Sequence, residues 1–138
     1  MQRTLVLIKP DAVADGVWLD IIKIYEKHEL AIGKTAIFAP LPASIVQELY
    51  REHEGKSFYD RLVSFMQSGI TIALCIVGLN AIALVRAING ATRPHEAKEG
   101  TIRHLYGSTG TNQPANAVHG SANPTDAERE LKLVFGEK

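Results

Sequence analysis

The chain has 138 residues, 46% hydrophobic and 22% charged, with 15 Lys+Arg balanced by 15 Asp+Glu for a formal net charge of +0. That length predicts one domain over residues 1–138, large enough to bury a hydrophobic core without staples. A single cysteine, Cys75, rules out a disulfide framework, and zero net charge argues against a surface-wide grip on nucleic acid while leaving room for a local cationic pocket.

The first element read is a strand over Thr4 to Ile8, an apolar run closed by Lys9 and Pro10 that does not resemble a secretion signal. Trp18, Ile21, Ile22 and Tyr25 then recur at i, i+3, i+4 and i+7, the stripe of an amphipathic helix. Ala31 to Ala39 reads as a second strand, more exposed than the first because Lys34 and Thr35 interrupt it. Pro42 to Glu52 and Phe58 to Gln67 predict a helix pair broken at Gly55. In the second helix Phe58 and Leu62 share one face, while Tyr59, Val63 and Met66 form the neighbouring stripe expected to face the core.

Ile70 to Val77 is a continuous, partly β-branched run, as expected of a strand covered on both faces, with Cys75 as a small buried hydrophobe. The whole apolar stretch to Val85 is too short and too interrupted to span a membrane. Asn80 offers an N-cap to a helix over Ala81 to Ile88, and Asn89-Gly90 a stop. From Gly90 to Pro124 glycine, proline, asparagine and threonine are dense and no apolar period survives, which predicts a long organised loop. Thr125 to Glu128 carries a capping-box pattern for a short helix, and Leu131 to Phe135 reads as a final strand. Strands and helices in alternation predict an α+β sandwich of ferredoxin-like type, a four-stranded antiparallel sheet with helices packed on one face.

Absences narrow the chemistry. Gly33-Lys34-Thr35 lacks the earlier glycine of a phosphate-binding loop, His28 standing in its place, and it lies within a strand. The five histidines show no metal-ligand spacing, so no protein-held metal is expected. The informative segment is Asn116-Ala-Val-His119-Gly-Ser121, an imidazole beside a glycine, a hydroxyl and an amide. Nucleophilic catalysis by imidazole needs one ring nitrogen free and the other anchored by an acceptor; Glu128 is read as the carboxylate that folds back as that anchor, or as a cap of its own helix, two readings that do not exclude each other. Lys9, Arg86 and Arg103 each close a hydrophobic element, where a cation can reach a cleft.

Lys9-Pro10-Asp11, Tyr50 and Phe58 on the helix pair, Gly100-Thr-Ile-Arg103, and Asn116-x-x-His119-Gly-Ser121 together resemble the nucleoside diphosphate kinase family, in order and over nearly the whole chain. The resemblance implies transfer of a γ-phosphate from a nucleoside triphosphate to a diphosphate through a phosphohistidine, in a cytoplasmic homo-oligomer, tetramer or hexamer, with Mg²⁺ held mainly by the nucleotide phosphates. It makes His119 the nucleophile, with Glu128 orienting the ring, Ser121 supporting it, and Lys9 and Tyr50 beside the travelling phosphate. Arg86, Thr92 and Arg103 would hold the phosphates with help from His53, Lys9 and Asn116 would meet the sugar, and Phe58 and Leu62 would stack the base.

Several positions depart from the family pattern. Ala12 stands for a common glycine, Asp15-Gly16 for Arg-Gly, Lys56-Ser57 for Arg-Pro, Ile70 for proline, His104-Leu105 for Gly-Asp, and Ala122 for the aspartate after His-Gly-Ser. The stretch from Arg103 to Asn116 reads as longer than usual, and the chain stops at Lys138 without a C-terminal extension. Two other readings stay open: a non-catalytic nucleotide-binding module, which would not need the histidine with its carboxylate, and an RNA-binding sheet, for which charge and aromatic placement are poor.

Overall fold

The computed structural model describes residues 1–107 and 115–137. Its elements in chain order are β1 (Gln2–Ile8), α1 (Pro10–Ala14), α2 (Trp18–Lys27), β2 (Ala31–Phe38), α3 (Ala43–Leu49), α4 (Tyr59–Met66), β3 (Thr71–Gly78), α5 (Ala81–Asn89), α6 (Ile102–Tyr106), β4 (Val118–Gly120) and α7 (Pro124–Phe135). Short 3₁₀ turns at Arg51–His53 and Pro94–Glu96 complete the list. The strands form one sheet in the order β2-β3-β1-β4, every neighbour antiparallel. This is the four-stranded arrangement expected of the α+β sandwich.

Side chains alternate across each strand, so the two central strands feed two cores. Val6 and Ile8 of β1 join Ile72, Leu74 and Ile76 of β3 under Ile21 and Tyr25 of α2 and Val85 and Ile88 of α5. Leu5 and Leu7, with Ala73 and Cys75, turn to the opposite side, where Val46, Leu49, Leu62, Met66, Leu131 and Val134 cover them. Helices therefore lie on both faces, and not on one as expected. Runs with no polar alternation in β1 and β3 require exactly this double cover, because either face left open would put leucines or isoleucines in water. β2 is the exposed edge strand, with Ile37 72% exposed.

Other local expectations are corrected. Leu131 to Phe135 is helical, the last turns of α7, because Ala127, Glu130, Leu131 and Val134 form one buried stripe at spacings of three and four. The fourth strand is instead the three residues around His119, inside the region read as loop, which also holds α6. The cap of α7 is Asn123, whose side chain accepts from the Asp126 N–H at 2.8 Å ahead of Pro124 at the first turn. Asn80 makes no side-chain cap and sits in the left-handed region at φ 51°. In α2 the stripe narrows to Ile21 and Tyr25, with Trp18 exposed, and in α4 the buried pair is Leu62 and Met66 while Tyr59 and Val63 are half-buried. The expected lengthening between Arg103 and Asn116 falls largely on residues 108–114, outside the described residues.

Candidate active site

β4 is short, but its register fixes the site. His119 lies directly opposite Leu7, so its ring is on the Leu5/Leu7 face of the sheet, toward α3, α4 and α7. The turn that delivers it is tight. Val118 N donates to Asn116 O at 2.8 Å around Ala117, whose φ is +72°, a γ-turn seldom adopted by residues other than glycine. Two neighbours hold Ala117 there: its N–H donates to Asp11 Oδ2 at 3.0 Å and its carbonyl accepts from Lys9 N at 2.8 Å. Asp11 was not anticipated from the sequence, although it follows Lys9-Pro10 directly.

The ring's partner is Glu130. Its Oε1 lies 2.9 Å from His119 Nε2 and accepts from Ser121 Oγ at 2.8 Å, while that hydroxyl accepts in turn from Leu5 N at 3.2 Å. The expected anchor, Glu128, faces away, exposed and 3.4 Å from Arg3. A helix turns 100° per residue, so once α7 begins at Pro124 the buried stripe selects position 130 and sends position 128 to solvent. Reading 131–135 as strand hid that stripe, which is the signal that would have found Glu130. Burial pushes the Glu130 carboxyl up, but its contact with His119 and the hydrogen bond from Ser121 outweigh it and leave it below the usual carboxylate range. An ionised acceptor fixes Nε2 as the protonated nitrogen and leaves the Nδ1 lone pair, which makes no hydrogen bond among the described residues.

The cations gather as expected. Lys9 Nζ donates to Asn116 Oδ1 at 2.7 Å, and Asn116 Nδ2 passes the link to Thr92 O at 2.9 Å. Burial, with Arg103 nearby, brings the Lys9 pKa down to about 7, against the opposing pull of Asp11. Arg103 grips three carbonyls, Asn116 O at 3.3 Å, Gly90 O at 2.9 Å and Val118 O at 2.7 Å. Gly90 must be glycine for this: its φ is +88°, and a Cβ there would fall 2.5 Å from Thr101 Oγ1. Arg86 reaches Gly120 O at 3.5 Å and is otherwise exposed.

These groups and the expected apolar platform line one open cleft of about 610 Å³, shared by Lys9, Tyr50, His53, Phe58, Leu62, Arg86, Thr92, Arg103, Asn116, His119 and Glu130. Ser121 lies behind it, fully buried, and acts on the cleft only through Glu130. Tyr50 meets the His119 ring edge-on at 6.2 Å and stacks on His53 at 6.4 Å, and burial pushes its phenol above the usual value. Farther out, His53 tilts against the Phe58 ring at 5.2 Å, with Lys56 Nζ 5.9 Å from the ring centre. Leu62 belongs mostly to the core and shows the cleft only an edge. Sequence reasoning missed Glu52, Arg61 and Asp126 at the rim, whose polar surroundings gave no pattern to find.

An imidazole with one nitrogen anchored and one free, facing several cations and an apolar platform, is equipped to take up a phosphoryl group from a nucleotide. Comparison with known proteins agrees. The family model for nucleoside diphosphate kinase matches residues 2–138. The nucleoside diphosphate kinase of Staphylococcus epidermidis is 44% identical over 137 residues, covering 98% of this chain and 88% of that protein. That of Methanocaldococcus jannaschii is 40% identical over 136 residues, covering 99% and 94%. The crystal structure of the Encephalitozoon cuniculi enzyme superposes with a TM-score of 0.93 at 32% identity over 99% of this chain and 90% of that one. A Halobacterium salinarum enzyme in complex with CDP gives 0.91 at 37% identity over 99% and 88%. On the fold, the arrangement around His119 and these matches, the chain belongs to the nucleoside diphosphate kinase family.

Proposed function

We propose that this chain, acting as a single domain, moves the γ-phosphate of ATP or another nucleoside triphosphate to a nucleoside diphosphate in two half-reactions at His119. The observation that carries the reading is the His119–Glu130–Ser121 chain, which leaves Nδ1 as the free nitrogen in a cleft lined by Lys9, Arg86 and Arg103. In the first half-reaction the Nδ1 lone pair attacks the γ-phosphorus, the N–P bond forms, the bond to the β,γ-bridging oxygen breaks, and its electron pair leaves on the diphosphate. Glu130 stabilises the positive charge that grows on the ring, and Nε2 keeps its proton throughout. A second diphosphate then reverses these steps. Arg86, Arg103, Thr92 and Lys9 neutralise the phosphates, Tyr50 and His53 flank the transferred group, Asn116 and Lys9 meet the sugar, and Phe58 with Leu62 supports the base. A non-catalytic nucleotide module would have no use for a buried carboxylate spent on one ring nitrogen.

The family implies a divalent ion, which we assign as Mg²⁺. Among the described residues no three His, Cys, Asp or Glu side chains converge to cage a metal. The cleft's donor set fits an ion carried in on phosphate oxygens, with Glu52 and Asp126 the carboxylates that would reach its water shell. When bound it would offset the negative charge of the phosphates. Self-association to a tetramer or hexamer is part of the proposal, supported by the open β2 edge and by exposed Trp18, Leu19 and Ile37, and light scattering of the purified protein tests it. Among the described residues no helix is long and apolar enough to cross a membrane. We assign the enzyme to the cytoplasm, where nucleotides are held.

The test is incubation with γ-labelled ATP and no acceptor. Label should stay on the protein in alkali, leave in acid as a phosphoramidate does, and pass to added ADP, GDP, CDP or UDP. Label that survives acid, or never appears, refutes the reading.

A further inference from the structure

Behind the two arginines lies a second, smaller hollow of about 90 Å³, walled by Arg86, Thr92, Arg103 and Gly120, which it shares with the main cleft, and closed at its back by Asn89. It has room for one phosphoryl group or a few waters and is too small for a sugar or a base. Asn89 is the last residue of α5 and only 1% exposed. Its Oδ1 accepts from the hydroxyl of Tyr25, a fully buried residue of α2 whose phenol burial keeps protonated. The amide is turned with its oxygen toward that hydroxyl. Nδ2 is left facing the other way. It has no hydrogen-bond partner among the described residues, and a Cβ on Gly120 would stand 3.0 Å from it. The bare α-carbon of the residue after His119 thus keeps open the space in front of a buried N–H₂ group.

A buried donor without an acceptor is costly and is found where something else supplies the acceptor. Two guanidinium groups wall the same hollow, and their charge favours an oxyanion as the missing acceptor. We propose that Asn89 is a further phosphate-binding residue whose Nδ2 donates to an oxygen of the nucleotide's β-phosphate, the group next along the chain from the one taken by His119, and that Tyr25 is the positioning residue that aims it. The inference rests on the nucleotide reading of the cleft.

The experiment is calorimetric titration of ADP, AMP and inorganic phosphate into wild type, Asn89→Leu, Asn89→Asp and Tyr25→Phe, with the melting temperature of each protein recorded. Losing a hydrogen bond to a charged group should weaken ADP on the order of tenfold in Asn89→Leu. Asn89→Asp, which sets a carboxylate against the phosphate, should weaken it further. Tyr25→Phe, which frees the amide to turn, should weaken it less. AMP, which has no β-phosphate, should bind all four proteins alike, a split that a general loss of structure would not give. ADP affinity unchanged in Asn89→Leu and Tyr25→Phe, or ADP and AMP weakened equally, overturns the inference. Weakened inorganic phosphate with ADP unchanged also overturns it and makes the hollow a free-anion site. Wild type that neither binds ADP nor takes label from ATP defeats the nucleotide reading itself, a separate outcome from the failure of Asn89.

Discussion

At the end of the cleft proposed to take the phosphates, four groups are tied to backbone or to a buried neighbour: His119 to Glu130, Lys9 to Asn116, Asn116 to Thr92, and Arg103 to three carbonyls. At the end proposed to take the base, His53 tilts against Phe58 at 5.2 Å, and the exposed Lys56 ammonium lies 3.4 Å from His53 Nδ1 and 5.9 Å from the Phe58 ring centre, on a helix pair whose outer side faces water. The contrast follows the tolerance of each task. In-line phosphoryl transfer loses rate when an atom is misplaced by an ångström, whereas stacking on a π-face accepts any base. A site that is to accept several bases can leave one end loose, provided the other is fixed.

Five tests probe that contrast, and the largest effect is expected at its fixed end. His119→Gln should abolish label transfer while ADP still binds, because the cations and Phe58 remain; retained labelling would move the nucleophile elsewhere. Arg103→Lys should cut kcat/KM roughly 30- to 1000-fold, ~2–4 kcal/mol of transition-state stabilisation, in both half-reactions, because an ammonium cannot copy the planar fork. Single-turnover rates in each direction measure it, and wild-type rates would place Arg103 outside the phosphate site. Glu130→Gln should slow phosphorylation about 10- to 100-fold, the usual effect of losing an orienting partner, while Glu128→Gln stays within about twofold of wild type. The reverse order would restore the sequence-based assignment.

The fourth test turns on Lys9, buried with a pKa near 7 against an ordinary 10.5. Between pH 7 and 10.5 the unfolded chain binds more protons at this residue than the folded one, so this contribution to stability rises with pH across that window and is flat below it. Nucleotide phosphates favour the charged form, so ADP binding at pH 8 to 9 should take up about one proton, less near pH 7, and none in Lys9→Met. Calorimetry in two buffers of different ionisation enthalpy reads that proton directly; no uptake in wild type would mean that Lys9 is already charged. The smallest effect belongs to the loose end. Phe58→Ala should raise KM about fivefold, ~1 kcal/mol, equally for ADP, GDP, CDP and UDP, with kcat kept. A loss confined to one base would reveal a polar reader.

Much of this was legible in the sequence, and the parts that were not share a cause. β1, β3 and their helices announce themselves because a strand buried on both faces has no polar alternation, and Lys9 stands out because it closes such a run. β4 was invisible since three residues carry no period, and its pairing with β1 is made by backbone. The error at Glu128 came from the wrong element type three residues later, and the core role of Leu62, which also edges the cleft, was hidden because a helix face was divided without knowing what packed on it. Asn89 and Tyr25, 64 positions apart and in different helices, have no common pattern until the fold brings them together.

The grip of Arg103 also bears on how this protein can change. All three of its partners are main-chain carbonyls, at Gly90, Asn116 and Val118. A change of side chain at 116 or 118, whatever else it costs, leaves the carbonyl of that residue in the chain, so the contact itself does not depend on those side chains. The same fact closes the usual route of repair, since no exchange of side chain at a partner position can rebuild what a lost guanidinium held. A suppressor screen begun from an Arg103 variant should therefore return revertants of codon 103 and few second-site rescues, unlike one begun from the side-chain pair of His119 and Glu130.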